Sequence, residues 1–186
     1  MTAHDDSSVP LSTRALAGRA GRTVTVTTAL ILTLALQSAV PPFATDMYTP
    51  AFPRVTADLA TSASLVGLTL TTFFLGMALG QLVGGPLSDQ RGRRRPMIVG
   101  GLICTLGAVG CALAPSIGWL IAARAIQGCG AALVMPLALT QLSVTFPPEQ
   151  RARALGAFSG VTALAVLSGP AIGGAIAGGL AWQWIF

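Results

Sequence analysis

The chain has 186 residues, of which 53% are hydrophobic and only 9% are charged. Soluble domains carry about a quarter charged residues, so this composition excludes an ordinary water-soluble fold. The formal charge of +5 rests on eleven basic residues, all of them arginine, and most flank apolar stretches. That is the pattern of membrane topology signals and not of a phosphate-tracking surface, so no nucleic-acid partner is expected. Three cysteines, Cys104, Cys111 and Cys129, lie inside apolar stretches without the spacing of a disulfide framework or a metal site. The single histidine, His4, sits in a polar segment, and neither HExxH nor GxSxG occurs. A nucleophile, an acid/base pair and a metal cluster are all missing from the pattern, so an enzyme is not indicated.

Taken in order, residues 1–23 are polar, carry Arg14, Arg19 and Arg22, and suggest a disordered cytoplasmic tail. The remainder, 24–186, reads as a membrane bundle. A bilayer core of about 30 Å asks for about 20 apolar residues per helix, and this length recurs along the chain. The first span is expected over 24–45, and its length and its successors argue against a cleaved signal peptide. A short polar connection with Pro50, Pro53, Arg54 and Asp58 follows. The second span, 65–87, repeats Gly76, Gly80 and Gly84 every four residues, a smooth ridge for close helix contact. A basic loop leads to the third span, 96–114, and a turn through Pro115 and Gly118 to the fourth, 119–144. After the loop of Pro147, Pro148, Glu149, Arg151 and Arg153 comes the fifth span, 154–178. Trp182 and Trp184 mark a membrane interface where a sixth apolar segment begins.

Arginine placement orients the bundle. With the N-terminus in the cytoplasm, Arg14, Arg19, Arg22, Arg91, Arg93, Arg94, Arg95, Arg151 and Arg153 all lie inside, and only Arg54 falls in an outer loop. The opposite orientation would violate the positive-inside rule.

Within this frame four motifs stand in order. Gly85-Pro-Leu-Ser-Asp89-Gln-Arg91-Gly92-Arg93-Arg94-Arg95 resembles the signature loop between the second and third helices of the major facilitator superfamily, with Gln90 where a basic residue is usual. Gly92 suits a tight turn, and Asp89 can accept from helix-end N–H groups. Pro41 to Pro53, around Asp46-Met-Tyr48-Thr-Pro50, together with Gly80-Gln81, is similar to the Bcr/CflA group of drug exporters. Arg124-Ala-Ile-Gln127-Gly128-Cys-Gly130 resembles the fourth-helix motif of drug:proton antiporters. Gly156, Ala165, Gly169-Pro170 and Gly173-Gly174 keep the spacing of the fifth-helix antiporter motif, with Ala165 where glycine is typical.

The resemblance implies an all-α integral membrane fold, here the N-terminal half of a major facilitator bundle with five complete transmembrane helices and the start of a sixth. It implies a whole protein of twelve helices whose second half this chain lacks, so that the chain alone is expected to be inactive. It also implies proton-coupled efflux of drugs or other small organic molecules at the cell membrane. The proton gradient would supply the energy without a cofactor, and the partners would be lipid bilayer, small-molecule substrate and the missing C-terminal half. A facilitator importing sugars or metabolites and a non-transporting scaffold are the alternatives. An arginine at a helix centre costs about 2.5–3.5 kcal/mol on insertion scales, so Arg124 needs a partner. Counting residues at 1.5 Å each puts Arg124 and Asp46 at similar depth at the outer end. The two are expected to face each other, Asp46 carrying the proton and Arg124 biasing it. Gln127 and Gln37 are expected in the same cavity, and Gly76, Gly80, Gly169 and Gly173 against neighbouring helices.

Overall fold

The computed structural model describes residues 11–186, the side chains of 11–27 and 89–91 excepted. In order come α1 (Leu11–Tyr48), a 3-10 turn (Thr49–Ala51), α2 (Phe52–Asp58), α3 (Ala63–Arg91), α4 (Arg94–Ala112), α5 (Ile117–Thr145) and α6 (Pro148–Gly179). A second 3-10 turn covers Trp182–Ile185. Among the described residues five helical stretches are long and apolar enough to cross a membrane: Thr28–Asp58, Ala63–Ser88, Arg94–Ala112, Ile117–Thr145 and Pro148–Gly179.

Four of the five spanning helices are longer than the apolar runs that announce them, while α4, at 19 residues, is shifted and not extended. Extending a helix costs less than starting one, so α1 already begins at Leu11, within the segment whose composition suggests a disordered tail; residues 1–10 lie outside the described residues. The polar connection expected after residue 45 is instead helical through Tyr48 and continues as the 3-10 turn and α2. The arginine-rich loop narrows to Gly92 and Arg93, and the last loop to Phe146 and Pro147. Prolines account for the early starts of α4 and α6. Pro96 and Pro148 stand in first turns, where a missing N–H breaks no helix bond. Ser62 and Ser116 cap α3 and α5 by accepting from the N–H groups of Leu65 at 3.3 Å and Trp119 at 3.4 Å. Gly92 closes the α3–α4 turn at φ 76° and ψ 163°, a conformation that essentially only glycine adopts.

α5 is the central helix. It packs on α3 and α4 and touches α1, which in turn pairs with α6. Leu120, Ala123, Arg124, Gln127, Gly128, Ala131, Val134, Ala138 and Leu142 recur along one buried stripe, and Gly130, Ala132 and Leu137 are buried beside it, as suits a helix packed on several sides. Around the bundle, large apolar side chains point outward: Leu82 is 73% exposed, Leu106 69% and Leu167 76%. Such a surface suits lipid and not water.

Glycines set the spacing. A Cβ on Gly128 would overlap the Phe73 carbonyl of α3, and one on Gly76 the Ala125 carbonyl of α5. A Cβ on Gly80 would come within 2.7 Å of the Cys129 carbonyl oxygen, and one on Gly107 within 2.6 Å of the Gln127 backbone. Across the other seam, Gly169 and Gly173 of α6 lie against Asp46 and Met47 of α1. All four glycines expected at helix contacts are there. Gly156, by contrast, faces open space. Gly128→Ala should therefore push α3 and α5 apart and cost about 1–3 kcal/mol, seen as a lower unfolding temperature in detergent. Gly156→Ala should leave that temperature unchanged or raise it, because alanine is the better helix former by about 1 kcal/mol.

Candidate functional site

Arg124 is the fully buried charged side chain among the described residues. Its place follows from helical spacing: Arg124, Gln127 and Gly128 occupy one face of α5, and Gly128 lets α3 come close enough to bring Phe73 over that face. The guanidinium carbon lies 4.2 Å from the centre of the Tyr48 ring, 4.5 Å from Phe186 and 5.6 Å from Phe73. Tyr48 and Phe186 also pack on one another, with ring centres 5.4 Å apart. Nη1 donates to Gln127 Oε1 at 3.2 Å, and the same oxygen accepts from the Cys111 thiol at 3.8 Å. Nε and Nη2 are buried without a protein acceptor. The Tyr48 ring is steadied by the Thr69 hydroxyl, 3.1 Å from its phenolic oxygen. Arg124 is thus a buried cation held by aromatic faces and one amide, an arrangement that gains strength where water is excluded.

Asp46 lies elsewhere. Residues two apart on a helix point to nearly opposite sides; Tyr48 turns toward Arg124, and Asp46 turns toward α6, with its Cβ 2.9 Å from where a side chain on Gly169 would begin. Among the described residues Asp46 forms no ion pair with Arg124, whose single side-chain acceptor is Gln127. The expectation of a facing pair rested on matched depth and on the insertion cost of Arg124, and neither fixes the direction in which a side chain leaves its helix. Asp46 instead lines a cavity of about 250 Å³ with Pro41, Pro42, Thr45, Phe73, Phe74, Met77 and Met135. Phe73 is the side chain common to the cavity and the guanidinium cage.

The remaining candidates divide. Gln37 lines a separate cavity of about 200 Å³ between α1, α4 and α5, with Gly101, Cys104 and Thr105 among its walls. Gln81 is exposed beside Gly84 and Gly85 in a cleft between α3 and α5. In the signature loop Arg93 reaches from the start of α4 to the Thr140 carbonyl of α5 at 3.3 Å, while Arg94 is exposed. Gly85 faces open space, and the side chains of Asp89 and Arg91 lie outside the described residues. On α6, Gly169 and Gly173 meet α1 and Gly174 approaches Pro50, but Pro170 and Gly156 are exposed. Sequence reasoning missed the aromatic cage. Tyr48 stood inside a motif without a role, and Phe73 and Phe186 come from distant parts of the chain with no local signal. It also missed Arg54, which donates to the Ala177 carbonyl in the last turn of α6, where unpaired carbonyls favour a cation.

Residues 34–186 match the Major Facilitator Superfamily over most of the chain. The chain belongs to that superfamily. It is 37% identical over 148 residues to the uncharacterized MFS-type transporter YdgK of Bacillus subtilis, covering 80% of this chain and 37% of the relative. It is 37% identical over 156 residues to the bicyclomycin resistance protein homolog of Haemophilus influenzae, 84% of this chain and 39% of that one. Identity is 38% over 167 residues to the cephamycin export protein CmcT of Amycolatopsis lactamdurans, 89% of this chain and 34% of the relative. The chain therefore spans little more than a third of the length of these relatives. This major facilitator chain is a multi-pass membrane protein whose relatives include antibiotic resistance and export proteins.

The cage generates a stability prediction. Gln127→Leu should remove the protein's one acceptor for the buried guanidinium and cost about 2–3 kcal/mol. Arg124→Met combined with Gln127→Leu should cost less than Gln127→Leu alone, because no cation is then stranded. Unfolding temperatures of the single and double variants in the same detergent test the order.

Proposed function

We propose that this chain forms one half of a proton-coupled exporter of drugs or other small organic molecules. It sits in the cell membrane with its N-terminus in the cytoplasm, and a C-terminal half closes the transport cavity. The proton gradient supplies the energy, and no cofactor takes part. The observation that carries this reading is the position of Asp46: a carboxylate within a membrane span, lining a cavity walled by Phe73, Phe74, Met77 and Met135. A charged carboxylate is costly in such surroundings. A proton or a positive group on a substrate can each neutralise it, and the two exclude one another. That exclusion is the minimum needed to exchange an inward proton for an outward substrate. The names of the resistance and export relatives support the direction of transport, and the clustering of arginines on one side supports the orientation.

Two features bear on movement around this group. Gly169 and Gly173 bring the α6 backbone directly against α1 beside Asp46, and the Arg54 bond to Ala177 ties the end of α6 to α2. The contact at Asp46 is thus free of bulky α6 side chains, while further along the same two helices Leu34 and Ala35 share a packed cluster with Ala154 and Phe158. In a protein carrying both halves, Asp46→Asn should abolish proton-driven export from membrane vesicles while expression and unfolding temperature stay at wild-type values. Export against a gradient by that variant would show that the coupling group lies elsewhere.

A further inference from the structure

A fully buried cation and a part-buried carboxylate have one aromatic ring, Phe73, among their surroundings. Phe73 is 2% exposed; one part of its environment is the Arg124 guanidinium, 5.6 Å from the ring centre, and another is the cavity that holds Asp46. The backbone beneath it is fixed, since the Phe73 carbonyl lies where any side chain on Gly128 would go, and the next turn is held the same way by Gly76 against Ala125. Only the ring can move. It has room to do so on one side, where the cavity of about 250 Å³ begins, and an aromatic neighbour there in Phe74, with ring centres 5.5 Å apart. On the other side the guanidinium is in want of acceptors: Nε and Nη2 have none, and the groups around it are Tyr48 of α1, Cys111 of α4, Gln127 of α5 and Phe186.

We infer that the Phe73 ring is a movable partition that screens the Asp46 cavity from the Arg124 guanidinium and admits that charge when the ring turns aside. With the ring in place, the cation is spent on Tyr48, Phe186 and Gln127, and the cavity sees a carboxylate only. With the ring turned into the cavity, the guanidinium, whose Nη2 and Nε lack acceptors, borders the opened gap on the side of the Asp46 cavity. Phe73 is a positioning residue: it controls what charge Asp46 meets without touching a proton. This rests on the reading of Asp46 as a cavity-lining group, but not on transport, direction or proton coupling.

The test reads charge directly. The chain is reconstituted in lipid nanodiscs with Cys104, Cys111 and Cys129 replaced by alanine and with Asp46→Cys as the single thiol. The rates of modification by an anionic and a cationic methanethiosulfonate are then compared. With Phe73 present the two rates should be set by the cavity alone. Phe73→Ala should raise the anionic-to-cationic ratio by about tenfold, the scale of a unit charge acting across a few ångströms in a partly wetted site. Adding Arg124→Gln to Phe73→Ala should return the ratio to its starting value, which a merely loosened structure would not do. Phe73→Leu, which keeps more of the packing, should give a smaller rise of the same sign and carries the test if the alanine variant does not fold. An unchanged ratio in Phe73→Ala or Phe73→Leu, or a rise that survives Arg124→Gln, overturns the partition. Failure of both reagents to modify the thiol overturns the cavity reading itself. Loss of proton-driven export in a separate assay bears on the proposed function alone.

Discussion

Lipid gives helices no hydrophobic reason to associate, because hydrocarbon chains are as apolar as leucine side chains. What holds this bundle is close backbone approach, and α5 is where it is concentrated. Gly128 receives the Phe73 carbonyl from α3, and Gly130 sits against Gly100 and Cys104 of α4. With two helices this near on different sides, α5 becomes the axis on which the other contacts are hung. The α1–α6 pair uses the same device at Gly169 and Gly173. The large side chains are then free to point outward into the bilayer, as Leu82, Leu106 and Leu167 do.

The buried cation depends on that seam. Arg124 could not stay in a loosely packed span, where water or headgroups would draw it out. The close crossing puts Phe73 beside it, α1 contributes Tyr48, and the chain beyond α6 folds back to add Phe186. A desolvated cation–π contact is worth about 2 kcal/mol or more, and a hydrogen bond to a charged group about 1.5–3 kcal/mol. These are of the same order as the insertion cost of an arginine, so a carboxylate is not required to keep it there. The single acceptor, Gln127, is part of the same stripe and shares its oxygen with Cys111.

The number of spans was legible in the sequence because it follows from counting along one dimension. Apolar runs of sufficient length gave five crossings, and a fixed rise per residue put Asp46 and Arg124 near one end of the bundle. The glycine positions were legible for a related reason: repeats of small residues have few uses in a membrane other than close contact. Azimuth was not legible. Whether two residues at equal depth meet depends on how each helix is rotated about its own axis, and that is settled by all its neighbours together. Asp46 was matched to Arg124 by depth, yet Tyr48, two positions on, is the residue that α1 presents to the guanidinium. The polar stretch after residue 45 misled for another reason: prolines and charged residues were read as a connection, whereas Pro50 and Pro53 stand in the first turns of short helical segments, where proline is well tolerated.

The opposed directions of Asp46 and Tyr48 have a mechanical consequence. Tyr48 fixes one side of α1 to the Arg124 cage, through the ring contact and through Thr69 of α3. The Asp46 Cβ lies on the other side, against Gly169 of α6, while further along the same two helices Leu34 and Ala35 share a packed cluster with Ala154 and Phe158. Side chains therefore key α1 to α6 at one end, and glycines let the two backbones touch beside Asp46. A displacement of α6 at its glycine end would change the surroundings of Asp46 first and leave the guanidinium contacts of Tyr48 in place. A displacement of α1 as a whole would have to break both the cage and the Leu34–Phe158 cluster.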